Sequence, residues 1–157
     1  MSDNEITLSR EVRAPVETVW GVVTDIDSAV STLSGVVAVE RLSGPGYQVG
    51  TRWRETRKVM GKEAAEEMWV VEVETPSRTV IKARSSGADY TTVFMLHPTA
   101  AGTTIDMSFG ADVRESSLLT KVANKVFGGL GTRITRKMME SDLADIAARA
   151  EALAAVD

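Results

Sequence analysis

Residues 7–25 read Thr-Leu-Ser-Arg-Glu-Val-Arg-Ala-Pro-Val-Glu-Thr-Val-Trp-Gly-Val-Val-Thr-Asp, and their period changes midway. Up to Val12 the side chains alternate. Ile6, Leu8 and Val12 share one face with Arg10, while Thr7, Ser9, Glu11 and Arg13 take the other, as a strand requires. From Pro15 onward Val16, Val19, Trp20 and Val23 recur at helical spacing. Pro15 suits a first helical turn, where a missing N–H costs nothing. One strand therefore runs straight into one helix, which ends near Asp25.

Beyond that switch the chain is strands followed by one long helix. Asp27 or Ser28 is placed to cap a second short helix running through Leu33. Strands are expected over Val36–Leu42, Thr51–Val59, Glu63–Glu74, Arg78–Ser85, Asp89–His97 and Thr103–Val113. Ser43-Gly44-Pro45-Gly46, Met60-Gly61-Lys62, Pro76, Ser86-Gly87 and Pro98 to Gly102 punctuate them. From Ser116 to Ala155 the pattern is helical. Leu119, Val122, Val126, Leu130, Ile134 and Met138 form an apolar stripe continued by Leu143, Ile146 and Leu153. Gly128, Gly129 and Gly131 interrupt it and predict a kink or break, since each glycine costs about 1 kcal/mol in a helix. The break makes Ser116–Phe127 either a lid over a cavity mouth or a segment packed closely on the first helices. Seven strands with short turns imply an antiparallel meander. A long helix with one apolar face needs the concave side of a bent sheet to cover it. The class is α+β.

Bulk properties narrow the function. The chain has 157 residues, the size of one domain over 1–157, and 43% hydrophobic content suffices for a core. A net charge of −4 without a dense basic run gives nucleic acid no docking surface. With no cysteine and His97 as the lone histidine, a transition-metal site has no ligand set, and no metal or cofactor is expected. The acidic start Met1 to Glu5 does not read as a signal peptide, and no apolar run approaches the ~20 residues that span a bilayer. A cytoplasmic monomer or homodimer, without stable membrane insertion, is the expectation.

The run Ala14-Pro15-Val16-Glu17-Thr18-Val19-Trp20, with Asp25 beyond it, resembles the opening of the START-related SRPBCC superfamily. Gly50-Thr51-Arg52-Trp53-Arg54-Glu55 and the long last helix match as well. The likeness spans nearly the whole chain and is nearest to the polyketide cyclase/dehydrase and lipid-transport group. It implies a helix-grip fold, in which a seven-stranded antiparallel sheet wraps around the C-terminal helix and two short helices follow strand one. It also implies an internal cavity. The Trp-Pro pair that many relatives carry after the first helix is missing from Ile26–Leu33.

Alternation assigns faces to the strands. Trp53, Glu55, Arg57 and Val59 share the inner face of the third strand. On the fourth, the apolar set Trp69, Val71 and Val73 is expected inside, bringing Glu67 with it. A hairpin centred on Gly61 sets Glu55 opposite Glu67 and Trp53 opposite Trp69. Ile81, Ala83, Tyr90, Thr92, Phe94, Leu96, Ile105, Met107 and Phe109 are the remaining inward positions. Val122, Val126, Leu130, Ile134 and Met138 face them from the helix. A mostly apolar interior with a few polar groups suits a hydrophobic small molecule with a polar end.

The expected ligand-binding residues are thus Trp53, Glu55, Arg57, Glu67, Trp69, Val71, Ile81, Tyr90, Thr92, Phe94, Met107, Phe109, Val126, Leu130 and Ile134. Two close carboxylates in a low-dielectric site resist double ionisation, so Glu55 and Glu67 read either as an acid–base pair or as an ion-pair network with Arg57. Tyr90 either orients a carbonyl or packs in the core. Trp20 reads as core. Lys121, Lys125, Arg133, Arg136 and Lys137 form a basic helix face, read as solvated rather than membrane-docking. Three functions remain open. The first is a carrier or sensor of a lipid- or polyketide-like molecule. The second is a cyclase or dehydratase using Glu55, Glu67, Arg57 and Tyr90. The third is a protein-interaction module without a ligand.

Overall fold

The computed structural model describes residues 5–85, 88–112 and 128–156. Among them, seven strands form one antiparallel sheet. These are β1 (Glu5–Val12), β2 (Val36–Arg41), β3 (Arg52–Val59), β4 (Lys62–Glu74), β5 (Arg78–Ser85), β6 (Ala88–Thr99) and β7 (Gly102–Asp112). Across the sheet the order is β1-β7-β6-β5-β4-β3-β2. The chain leaves β1 at one edge, crosses to β2 at the other, and meanders back until β7 pairs with β1. The crossing uses α1 (Val16–Val23), a 3-10 turn at Ile26–Ser28 and α2 (Ala29–Thr32). The long helix α3 (Gly129–Val156) packs against β1 and α1. This is the helix-grip fold that the sequence led us to expect.

Local chemistry accounts for each crossing element. Pro15 stands extended ahead of α1, and Val19 and Trp20 bury that helix's apolar face. The cap of the next turn is Asp25, whose carboxylate accepts the Ser28 N–H at 3.3 Å. Asp27 and Ser28 do not cap as expected. Asp27 is drawn away by Arg41 at 2.7 Å, and Ser28 makes no side-chain cap bond to α2. At the start of β7, Gly102 lies so close to β1 that a Cβ would sit 2.2 Å from the Val12 carbonyl oxygen. The Thr103 hydroxyl donates to the Ala14 carbonyl from there.

Helix α3 buries Thr135, Met139, Asp142, Leu143, Ile146, Ala147 and Ala150, a face at spacings of three and four. The expected stripe is turned slightly off this face. Ile134 and Met138 are half-buried, whereas Leu130 is 67% exposed and Leu153 39% exposed. The described helix begins at Gly129. Leu119, Val122, Val126 and the expected lid Ser116–Phe127 lie outside the described residues. Ser34 ties α3 to the region before β2, donating its N–H and hydroxyl to Asp145 at 2.8 and 2.9 Å.

The β3–β4 hairpin departs from the expected register. Its turn holds two residues, Met60 (φ 53°) and Gly61 (φ 81°), so Val59 pairs with Lys62. Positive φ at both central residues is the type I′ geometry, whose twist matches that of the strands. A turn one residue shorter than assumed reverses the faces of β4. Glu55 is opposite Glu66, Trp53 is opposite Met68, and Arg52 is opposite Trp69. A bulge between Val70 and Glu72 then restores the parity, and Val73 packs on the core as expected.

Candidate functional site

A cavity of about 580 Å³ lies between the inner face of the sheet, α3 and the segment around α2. Trp53, Glu55, Arg57 and Val59 of β3 line it, facing Ala64, Glu66 and Met68 of β4. Ile81, Ala83, Tyr90, Thr92, Phe94, Met107 and Phe109 continue the wall, and Ile134, Met138, Met139 and Ile146 close it from α3. Tyr90 and Phe109 stack nearly parallel, with ring centres 5.4 Å apart.

Trp53, Glu55, Arg57, Ile81, Tyr90, Thr92, Phe94, Met107, Phe109 and Ile134 thus stand in the cavity wall where the sequence reading placed them. Glu67, Trp69 and Val71 do not. The shorter turn sends Glu67 and Trp69 to the outer face, and the bulge takes up Val71. Outside, Glu67 pairs with Arg52. Arg52 lies over the Trp69 ring at 4.9 Å, and Arg84 approaches it at 5.8 Å. Glu55 therefore does not pair with Glu67, nor Trp53 with Trp69. Leu130 is exposed at the start of α3, and Val126 falls outside the described residues. Arg10 is exposed, and exposed His97 pairs with Asp106 at 3.0 Å.

The polar end of the cavity is built around Arg57. Its Nε donates to Glu55 Oε2 at 2.8 Å. Its Nη1 and Nη2 donate to the two carboxylate oxygens of Asp142 at 3.0 and 2.8 Å. Burial opposes the guanidinium charge, but Asp142 and Glu55 outweigh it and hold Arg57 firmly protonated. Burial pushes the Asp142 carboxyl up, Arg57 pulls it back, and Glu55 and Asp145 push it up again.

Glu66 is the second acid of the cross-strand pair. It has no hydrogen-bond or ion-pair partner among the described residues. Burial and the neighbouring Glu55 charge raise its carboxyl, and Arg57 offsets this in part. Burial and the Glu66 charge also raise the Tyr90 phenol. Tyr47 lines the far wall. Its hydroxyl meets Thr79 Oγ1 at 2.7 Å, and burial pushes its phenol up to about 12.

Sequence reading missed Glu66, Asp142, Met68, Ala64 and Tyr47. For Asp142 a signal existed, because it stands three residues after Met139 and four before Ile146, on the apolar face of a helix. For Glu66 the signal was the Met-Gly turn. Chemically, the arrangement offers an apolar chamber with one guanidinium held by two carboxylates and, among the described residues, an unpaired carboxylate at one end.

A family model described as polyketide cyclase / dehydrase and lipid transport matches residues 4–151. The protein TTHA0849 from Thermus thermophilus has a similar structure, with 20% identity, TM-score 0.72, 95% of this chain and 98% of that one covered. Protein CV1439 from Chromobacterium violaceum is 18% identical with TM-score 0.70, covering 94% and 98% of the two chains. StfQ, the di-domain ARO/CYC of the steffimycin biosynthetic pathway, is 13% identical with TM-score 0.71. The match covers 97% of this chain and 52% of StfQ. At these identities the structures establish the fold alone. A search among curated proteins finds no match.

Proposed function

Starting from a chain that belongs to the polyketide cyclase/dehydrase and lipid-transport family, we propose that it binds a hydrophobic, lipid- or polyketide-like small molecule in its internal cavity, as a carrier or sensor. The observation that carries this reading is the chamber itself. Its volume of about 580 Å³ falls within the roughly 300–1,000 Å³ usual for small-molecule sites. Its wall is aliphatic and aromatic over most of β5, β6, β7 and α3, and its polar groups gather near β3 and β4. That division suits a guest with an apolar body and one polar end. A protein-interaction module without a ligand would not need the empty volume. Among the described residues, no helix is long and apolar enough to cross a membrane.

Two measurements test the reading. Native mass spectrometry of freshly purified protein should reveal a co-purified small molecule. Titration with a long-chain alcohol and with a flat polyphenol should change the emission of Trp53 saturably. A protein that carries nothing and responds to neither would refute the proposal.

A second reading, a cyclase or dehydratase, is favoured by Glu66 and Tyr90. A carboxyl with a raised pKa near a phenol in a largely apolar chamber can hold and return a proton at a carbonyl-bearing substrate. Turnover of a poly-β-keto thioester that is lost in Glu66→Gln would favour this reading over simple carriage.

A further inference from the structure

Among the described residues, the charge at the polar end of the cavity is unbalanced. Arg57 is the one cation among the described lining residues, and all three of its nitrogens already donate to carboxylates. Across the hairpin from Glu55, Glu66 is unpaired among the described residues. Glu55 is only 6% exposed and lines the cavity, yet only its Oε2 takes a hydrogen bond among those residues. One guanidinium thus faces three carboxylates, two of which have oxygens left to accept.

We propose that the ligand is a hydrophobic amine whose ammonium group sits between Glu55 and Glu66. This rests on the cavity-binding reading and names its ligand class. The chamber makes the site, and the carboxylates set the charge it accepts. An ammonium brings three donors and no acceptor, which matches the free oxygens of Glu55 and Glu66. It also brings a positive charge to these carboxylates in surroundings where charges act more strongly than in water. A carboxylate ligand would meet Glu55, Glu66 and Asp142, and would have to share one guanidinium, three of whose five N–H groups already donate to Glu55 and Asp142. A neutral hydroxyl would gain an ordinary hydrogen bond and leave the charge unbalanced.

Three ligands with the same ten-carbon chain separate these cases: decylammonium, 1-decanol and decanoate. Each is titrated below its aggregation concentration into the Trp69→Phe protein, so that cavity-wall Trp53 dominates the response. Decylammonium should bind about tenfold more tightly than decanol, the gain of a charged over a neutral hydrogen bond, and decanoate should bind least. In Glu66→Gln the amine and alcohol affinities should converge. Decanoate binding as tightly as the amine, or equal binding of all three, would overturn the proposal while the cavity reading stood. Binding by none of the three would overturn both. The ranking in the protein with Glu66 intact decides the matter even if Glu66→Gln does not fold.

Discussion

Arg57 on β3 and Asp142 on α3 are joined by two hydrogen bonds, 3.0 and 2.8 Å long, although 85 positions separate them in sequence. The side chains are 15% and 8% exposed, so the pair is largely withdrawn from water. It is an ionic tie between the sheet and the helix it grips, in the wall of the cavity. Removing one member of such a pair leaves the other charge buried and short of partners. Asp142→Ala should therefore cost about 3 kcal/mol of unfolding free energy. Asp142→Asn, which retains an acceptor oxygen, should cost less. Urea unfolding followed by circular dichroism measures both. An Asp142→Ala protein as stable as its parent would mean that Glu55 alone satisfies Arg57.

Glu66 should make the protein less stable as pH rises. Its carboxyl is raised from an ordinary value of 4.5 by burial and by Glu55. The folded protein therefore keeps a proton that the unfolded chain has already released. Between those two pKa values folding takes up a proton, so stability is greatest below 4.5 and falls as pH climbs through the folded value. Asp142 contributes in the same direction and is present in both proteins compared. Glu66→Gln has no proton to lose there. Its melting temperature should fall less between pH 4 and pH 7 than that of the parent, and at pH 7 it should be the more stable protein. Parallel curves for the two would show that Glu66 titrates as freely as in water.

The parts of the site that could be read from the sequence are those where alternation runs unbroken. Trp53 to Val59 contains no bulge, so every inner residue of β3 was legible, as were those of β6 and β7. On β4, Val73 does pack on the core. Counting back from it in twos gives Trp69 and Glu67, but the bulge inserts one residue and sends both outside. The error is local in the chain, yet it exchanges one glutamate for another in the cavity. Tyr47 was illegible for a different reason. It lies in a loop with no period, and its place is fixed by a hydroxyl contact with Thr79, 32 residues away. Asp142 was overlooked because a lone acid beside an apolar stripe reads as solvated until its partner Arg57 is placed beside it.

The two hairpin tryptophans should respond to ligand in opposite ways. Trp53 is 4% exposed and lines the cavity, whereas Trp69 lies outside under the Arg52 and Arg84 guanidinium groups. Trp53→Phe should abolish most of the ligand-induced change in emission. Trp69→Phe should preserve that change, and weakening its cation–π contacts should cost less than about 1 kcal/mol of stability. Fluorescence titration of both variants checks the expectation. A response that survives Trp53→Phe and vanishes in Trp69→Phe would move binding to the outer face.

The hairpin turn that decides which glutamate faces the cavity is held by an unfavourable residue. Met60 has φ 53°, a left-handed conformation that costs an ordinary side chain about 1–2 kcal/mol. Its side chain is 77% exposed, so it recovers little of that cost by packing. Asparagine tolerates this conformation, and Asn-Gly is the preferred pair in two-residue turns of this type. Met60→Asn should therefore stabilise the protein by about 0.5–1 kcal/mol, seen as a higher urea midpoint with an unchanged slope. The amine preference set by Glu66 should be unaffected, because the register stays the same. A lower midpoint would mean that the Met60 side chain makes contacts worth more than the strain of its backbone.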